Sequence, residues 1–334
     1  MRPFRYHRPV EVAEAVALLD AEPDAAYLAG GTNLVDLMKL GVQRPNLLVD
    51  VTRLPLDTVD PLPDGGVRIG ANVRNSDLAA HPVIRRDYPM LARALLAAAS
   101  GQLRNMATTG GNLLQRTRCA YFQDTSKACN KRQPGTGCAA RHGQNRDLAV
   151  LGWSEHCVAT HPSDMAVALV ALDAVVEAYA PDGPRQLPLT KLHREPGDRP
   201  EQETNLPRGA LITAVRLPPL PLARRSSYHK ARDRASFAFA IGSVAAALDL
   251  AGDVVRDVRL AYGAVAHRPW RAYRAEETLR GRPFTPELAA HAADVELAAA
   301  RPLEHNAFKV PLIRNLTVRA LTELRTLTEL AGQP

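Results

Sequence analysis

Four cysteines are the residues in this 334-residue sequence whose type and spacing most clearly suggest chemistry. They are Cys119, Cys129, Cys138 and Cys157, spaced C-x9-C-x8-C-x18-C. Two disulfides would be typical of a small secreted domain, whereas a chain of this length can bury an adequate core without them. Cysteine thiolates also bind metals, and we therefore expect a metal or cluster site in this segment.

The spacing favours an iron–sulfur cluster over zinc. Structural zinc sites usually take cysteines as close C-x2–4-C pairs, and the shortest gap here holds eight residues. Single thiolates spread along a loop can each reach one iron of a [4Fe–4S] cluster. Zinc remains the alternative.

The positive charge of the chain is concentrated around these cysteines. The net charge is +7, and residues 101–150 alone contain eight Lys or Arg against Asp124 and Asp147, a balance of +6. A buried anionic cluster needs such cations nearby. Nucleic-acid binding is the competing explanation, but only Tyr121 and Phe122 in this loop could stack on bases. The eight basic residues are Arg104, Arg116, Arg118, Lys127, Lys131, Arg132, Arg141 and Arg146.

A first glycine pair lies between a predicted strand and a predicted helix. Residues 25–28 favour a strand, Gly30-Gly31 a tight turn, and residues 33–40 a helix. Glycines let backbone N–H groups converge on an anion without obstruction by a Cβ atom. An ordinary connection is the other interpretation of this motif taken alone.

A second glycine pair, Gly110-Gly111, is predicted as a polar turn with Thr108, Thr109 and Asn112 beside it. Either motif alone has an ordinary structural explanation. Two such turns lie about 80 residues apart, and both have Thr and Asn alongside. They predict that the first loop holds one side of a dinucleotide pyrophosphate and the second loop holds the other side.

The apolar periodicity of the rest of the sequence predicts the helices and strands that position these motifs. Residues 161–180 predict a turn, a helix and a strand, and their spacing favours Ser163-Asp164 as a helix cap. Residues 181–209 are predicted as a surface connection. A new α+β unit starts near residue 225. Its predicted strands are 226–230, 239–250 and 254–263, and its predicted helices are 274–280, 286–299 and 306–330.

No run of 18 apolar residues is present, and the N-terminus lacks the apolar region of a signal peptide. We therefore expect neither a membrane span nor an export signal on this polypeptide.

Four motifs resemble the FAD-binding subunits of the molybdenum hydroxylases, the xanthine dehydrogenase/aldehyde oxidase family. The motifs are LAGGTNLVDLMK, ATTGGNLLQRTRC, HPSDMAVA and YHKARDRASFAFA. The resemblance covers essentially the whole chain. In most members the GGN turn is followed closely by the SD motif, whereas here about fifty residues with all four cysteines separate Asn112 from Ser163. This insertion resembles that of FAD subunits of bacterial periplasmic aldehyde oxidoreductases, which carries a [4Fe–4S] cluster.

The resemblance implies an α+β fold. A FAD-binding domain of the vanillyl-alcohol-oxidase (PCMH) type, made of two subdomains, would precede a small α+β C-terminal domain with an antiparallel sheet plus helices. The expected ranges are 1–55, 56–222 with the [4Fe–4S] insertion at 113–162, and 223–334.

The resemblance also assigns residues to cofactors. Lys230 would approach the isoalloxazine, and Asp164 the flavin or its ribityl chain. Cys119, Cys129, Cys138 and Cys157 would bind the cluster. The remaining FAD-binding residues would be Ala26, Tyr27, Leu28, Ala29, Gly30, Gly31, Thr32, Asn33, Leu34, Thr108, Thr109, Gly110, Gly111 and Asn112.

The implied function is that of an oxidoreductase subunit without catalytic residues of its own. Electrons from an aldehyde would reach FAD from a large molybdenum-cofactor subunit through a small [2Fe–2S] subunit, and would leave to an external acceptor. The heterotrimer would be exported folded to the periplasm through a partner's twin-arginine signal, with the cytoplasm as the alternative.

Two other functions are weighed against this one. A free-standing flavin oxidase would need a general base, and His142, His156 and His161 are interpreted instead as residues of the cysteine loop. A zinc-stabilised nucleic-acid-binding protein would follow if zinc occupied the cysteines.

Overall fold

The computed structural model describes residues 1–331, and consecutive parts of this chain build sheets of three, five and four strands. No helix within this range combines the length and the apolar character needed to cross a bilayer.

The first sheet is parallel, and its last strand in sequence lies between the other two. Its elements are β1 (Arg5–His7), α1 (Val12–Ala21), β2 (Ala25–Leu28), α2 (Leu34–Lys39) and β3 (Leu47–Asp50). The predicted strand and helix on either side of Gly30-Gly31 are thereby confirmed. The glycine pair lies at the carboxyl end of β2, where the chain turns into α2.

The second sheet is antiparallel, and short helices inserted between its strands share its hydrophobic core. Its strands are β4 (Val59–Pro61), β5 (Val67–Gly70), β6 (Val175–Ala180), β7 (Gly183–Pro188) and β8 (Leu211–Leu217), in the order β4-β5-β8-β6-β7. Its helices are α3 (Asn75–Ala80), α4 (Pro82–Asp87), α5 (Pro89–Ala97), α6 (Gly101–Met106), α7 (Thr109–Leu113), α8 (Ala120–Gln123) and α9 (Asp164–Ala171). All eight residues of α9 are buried. The Oγ of Ser163 accepts a hydrogen bond from the Ala166 N–H at 2.9 Å, which confirms the predicted cap.

Two predictions for this region are wrong. Residues 183–188, predicted as part of a surface connection, form the edge strand β7, because an edge strand with mostly exposed side chains needs no apolar alternation. Gly110-Gly111 is not a loop turn but lies in the first turn of α7. The Thr108 hydroxyl accepts from the Gly111 N–H and supplies the cap that lets this helix begin.

The third sheet is antiparallel and backed by helices, as predicted. Its elements are β9 (Ser226–Ala231), β10 (Gly242–Ala251), β11 (Val254–Gly263), β12 (Trp270–Arg271), α10 (Tyr273–Leu279), α11 (Pro286–Leu297) and α12 (Lys309–Ala331). Ala245, Ala247 and Ala261 of this sheet belong to the same hydrophobic core as the first two sheets. These small side chains let the sheet pack closely on that core. The three domain ranges stay a prediction, and residues 332–334 of the last one lie outside the described residues.

The cysteine segment between α7 and α9 has a small core of its own. Phe122, Leu148 and Val158 are buried there beside the cysteines, together with Leu37 from α2. This contact fixes the segment next to the first glycine pair.

Candidate functional site

The two glycine pairs lie against one another. A Cβ atom on Gly30 would lie 1.9 Å from the carbonyl oxygen of Met106, and one on Gly111 would lie 3.7 Å from Cβ of Ala29. The space beside Gly30 therefore has no room for any side chain. The fold thus brings together the two motifs that the sequence paired.

Both glycine pairs line one cavity of about 260 Å³, which we call the bend cavity. Of the predicted FAD-binding residues, Leu28, Thr109, Asn112, Asp164 and Lys230 do not line it. The Thr109 hydroxyl instead donates to the carbonyl of Val73 at 3.1 Å. The predicted residues that do line it are Ala26, Tyr27, Ala29, Gly30, Gly31, Thr32, Asn33, Leu34, Thr108, Gly110 and Gly111.

Of the two glycine pairs, only the first offers unused backbone N–H donors to the bend cavity. Within the described residues, the N–H groups of residues 30–34 have no partner, and the buried Asn33 Nδ2 has none either. The second bend uses its amides internally, since Gly110 N–H donates to the Ala71 carbonyl at 2.8 Å and Gly111 N–H to Thr108. A row of unused N–H donors beside an orphaned amide fits the oxygens of a pyrophosphate.

A second cavity of about 500 Å³, the large cavity, adjoins the bend cavity and shares Thr32, Asn33 and Gly111 with it. This volume is typical of a site for a small organic molecule. The Ser243 Oγ is buried in the lining of this cavity. Phosphate donors at one end and a roomy cavity at the other fit an extended dinucleotide such as FAD.

Asp164 lines the large cavity as half of a buried ion pair. Its Oδ2 accepts from Lys230 Nζ at 2.8 Å, and its Oδ1 accepts from the Tyr228 hydroxyl at 2.5 Å. Burial, and then the Asp164 charge, raise the pKa of Tyr228 well above its ordinary value, so the phenol remains a donor. Lys230 does not line the cavity, and its Nζ also donates to the Ala97 carbonyl at 3.1 Å. Lys230 therefore acts on the cavity through Asp164.

Asn112 lines the large cavity but uses its amide inside the protein. Its Nδ2 donates to Asn75 Oδ1 at 2.7 Å, while its Oδ1 accepts from Ser163 Oγ at 2.5 Å and from Gln115 Nε2 at 2.8 Å. The side chain thus joins α7 to α3 and to the start of α9, which holds the cavity wall in place.

The four cysteines line one small cavity, the cysteine cavity, and their thiols are free. Burial raises the pKa of Cys119 to about 11 and that of Cys157 to about 12. At three of the four sulfurs, backbone N–H groups donate hydrogen bonds that favour the thiolate. Cys119 accepts from Tyr121 and Phe122, and Cys157 accepts from Ala159. Cys138 accepts from Ala140, Arg141 and Val158. Cysteines in a common cavity, three of them with N–H donors nearby, are the residue type that binds iron–sulfur clusters. No group of three or more His, Cys, Asp or Glu in residues 1–331 has the arrangement of a metal-ion site.

Cys119 borders the cysteine cavity and the large cavity at once. Its neighbour Arg118 lines the large cavity and packs over the Phe239 ring, with 5.0 Å from the guanidinium carbon to the ring centroid. Burial lowers the pKa of Arg118. The two candidate cofactor sites are therefore separated by this one stretch of chain.

Much of the basic excess of residues 101–150 is paired within the protein. Arg116 and Lys131 both contact Glu203, at 3.1 Å and 2.8 Å. Arg141 and Arg146 also form ion pairs, with Glu155 and Asp233. Of the eight basic residues, Lys131 alone lines the cysteine cavity. The sequence interpretation that this whole excess surrounds the cysteines was therefore too broad.

A cluster of three histidines, His161, His193 and His267, lines a further cavity of about 20 Å³. The ring centroids of His161 and His193 are 4.1 Å apart. Burial lowers the pKa of all three, to about 4 for His193 and about 3 for His267. Carbonyls hold two of the neutral rings, since His193 Nε2 donates to the Leu113 carbonyl and His267 Nδ1 donates to the Arg194 carbonyl. Sequence reasoning missed His193 and His267, because no local pattern relates them.

Two protein-family models together match nearly the whole chain. Residues 2–220 match the FAD binding domain in molybdopterin dehydrogenase. Residues 226–324 match the CO dehydrogenase flavoprotein C-terminal domain.

Known proteins are similar over comparable lengths. The chain is 51% identical over 326 residues to the aldehyde oxidoreductase FAD-binding subunit PaoB of Escherichia coli (strain K12), which covers 97% of this chain and 99% of that protein. It is 26% identical over 325 residues to the glyceraldehyde dehydrogenase medium chain of Sulfolobus acidocaldarius, covering 96% and 98%. A solved structure of carbon monoxide dehydrogenase from Hydrogenophaga pseudoflava matches with a TM-score of 0.75 at 26% identity, over 96% of both chains. The expected fold class is thereby confirmed.

Proposed function

This chain belongs to the FAD-binding subunits of the molybdenum hydroxylase family, and we propose that it carries electrons from partner subunits to an external acceptor. It is a flavoprotein component of an oxidoreductase, and the proposal concerns the electron path and the cofactors along it. No residue of this chain is assigned a bond-making step on the substrate.

FAD supplies chemistry that no side chain offers, since it takes up electrons singly and releases them as a pair. The free N–H groups of residues 30–34 and the Asn33 amide would hold its pyrophosphate. The larger flavin end would lie against Ser243 and against Asp164, whose charge Lys230 balances.

A [4Fe–4S] cluster held by Cys119, Cys129, Cys138 and Cys157 is the finer part of the proposal. Their common cavity and the N–H groups that favour thiolates support it. The observation that carries the electron path is the position of Cys119, which borders the cysteine cavity and the large cavity alike.

The substrate and the partners are proposed from the relatives. The Escherichia coli relative is the FAD-binding subunit of an aldehyde oxidoreductase, and the Sulfolobus relative is the medium chain of a glyceraldehyde dehydrogenase. We infer that an aldehyde is oxidised at the molybdenum cofactor of a large partner subunit. A small [2Fe–2S] partner would complete the heterotrimer.

We further infer that the complex functions in the periplasm, exported in folded form through a twin-arginine signal on a partner. Cell fractionation of the native complex tests this location. Recovery in the cytoplasm alone would contradict it.

The function is tested by purifying the chain with its native partners and measuring flavin, iron, sulfide and aldehyde-driven reduction of an acceptor dye. We expect FAD and four iron atoms on this chain, with Cys119→Ser losing iron and with Thr125→Ala, an exposed control in the same segment, keeping it.

Three outcomes would contradict parts of the proposal. Flavin without iron on the wild-type chain would remove the cluster, and zinc in place of iron would do the same. Aldehyde turnover by this chain in isolation would replace the relay with a flavin oxidase.

A further inference from the structure

Lys131 is buried in the wall of the cysteine cavity. Its side chain is only 2% exposed, and its Nζ lies 2.8 Å from Glu203 Oε1 and 2.9 Å from the carbonyl oxygen of Pro200. No other Lys or Arg lines this cavity in the described chain.

The ion pair leaves a surplus of positive charge. Arg116 also contacts Glu203, at 3.1 Å, so two cations share one carboxylate. Burial opposes ionisation of Glu203, yet Lys131 and Arg116 lower its pKa to about 2, and it is therefore an anion at neutral pH. Arg116 lines the bend cavity, where a pyrophosphate would balance its charge, whereas Lys131 is the most buried member of this network. A buried cation is costly unless an anion lies nearby. The neighbouring group of four sulfurs is suited to supply it.

The other cations of the segment are less suited to this role. Arg141 is 26% exposed and pairs with Glu155, which is 64% exposed, so solvent screens its charge. Arg132 donates to the carbonyls of Tyr121 and Phe122.

We propose that Lys131 is the charge-balancing residue of the cysteine site and that its fixed positive charge raises the reduction potential of a bound [4Fe–4S] cluster. The inference rests on the proposed cluster. Reduction of such a cluster would take one electron from reduced FAD, with no proton transferred to the cluster and no bond of the cluster formed or broken. Because the reduced cluster carries one more negative charge, a nearby cation stabilises it more than the oxidised form.

The test is a redox titration of the purified complex, followed by the low-temperature EPR signal of the reduced [4Fe–4S] cluster. Lys131→Met removes the charge at similar length. At a fixed electrode potential we expect the ratio of reduced to oxidised cluster to fall about tenfold, which is a midpoint lower by about 59 mV. Lys131→Arg keeps the charge and should stay within about threefold of the wild type.

Two further variants serve as controls. Lys127→Met removes an exposed charge from the same segment and should leave the midpoint unchanged. Glu203→Gln removes the partner carboxylate and should raise the midpoint. Because this change in midpoint is opposite to that expected for Lys131→Met, it tests the inference even if Lys131→Met fails to fold.

Each outcome has a distinct meaning. A Lys131→Met complex with full iron content and an unchanged midpoint would overturn the role of Lys131 and leave the proposed function intact. An unchanged midpoint in Glu203→Gln would count against it in the same way. Wild-type protein without a cluster would overturn this inference and the cluster part of the proposed function, and would leave the electron path through FAD intact.

Discussion

The Nζ of Lys230 lies 2.8 Å from Oδ2 of Asp164, and neither side chain is more than 5% exposed. Asp164 begins α9 and Lys230 lies in β9, so the pair joins the second sheet's helices to the third sheet. A buried charge depends on its partner because water cannot replace it. The wall of the large cavity therefore depends on the packing of the third sheet.

Replacing Lys230 by Met should lower the free energy of unfolding by about 3–5 kcal/mol, because Asp164 would be left as an unpaired buried charge. Urea denaturation measures the loss. The double variant Lys230→Met, Asp164→Asn should recover part of it. The control is Arg319→Met, which breaks the exposed pair Arg319–Glu323 and should cost at most about 0.5 kcal/mol.

Replacing Gly30 by Ala should weaken flavin binding at least about tenfold, because the added Cβ would meet the Met106 carbonyl and push the two bends apart. Fluorescence titration of the flavin-free chain with FAD measures the affinity. Gly101→Ala is the matched control, since a Cβ there meets nothing within 4 Å. Equal affinity in both variants would contradict the location of the pyrophosphate.

Stability should fall as the pH drops below about 6.5, because the buried histidines stay neutral in the folded chain while the unfolded chain takes up protons. With a folded pKa of about 4, His193 should contribute a loss of about 2 kcal/mol between pH 7 and pH 5. With a folded pKa of about 3, His267 should add a similar loss.

Urea denaturation at several pH values measures this dependence. His193→Gln keeps a donor for the Leu113 carbonyl but should show a shallower decline toward low pH. His291→Gln, on the exposed face of α11, should decline like the wild type. Equal slopes in all three proteins would show that the His193 ring does not resist protonation.

Asn112 and Ser163 should be energetically coupled, because the Ser163 hydroxyl donates to the side-chain Oδ1 of Asn112 and also caps α9. In a double-mutant cycle with Asn112→Ala and Ser163→Ala, we expect a coupling of about 1 kcal/mol in the free energy of unfolding. The cycle of Asn112→Ala with Ser126→Ala, an exposed residue outside this network, should be additive within about 0.5 kcal/mol. Additivity in the first cycle would show that the two side chains act separately.

Local sequence patterns predicted most of the fold. Glycines, caps and apolar periodicity act over a few residues, and they located β2, α2, the cap at Ser163 and the strands of the third sheet. They failed at β7, an edge strand with mostly exposed side chains, and at Gly110-Gly111, where the Thr108 cap starts a helix. The assignment of residues to FAD and to a cluster came from the family resemblance and stays a prediction.

By itself, therefore, the sequence determined which residue types were available, namely two glycine pairs, four spaced cysteines and a basic segment between them. Only the tertiary structure decided what these groups face. In the folded chain, the backbone amides of Gly30-Gly31 have no partner, whereas those of Gly110-Gly111 make hydrogen bonds within the protein. The packing of the sheets also pairs Asp164 with Lys230 and places Lys131 beside the cysteines. Hydrogen bonds and charges at these sites join residues tens of positions apart. Their partners are fixed by how the three sheets pack, which no local pattern encodes.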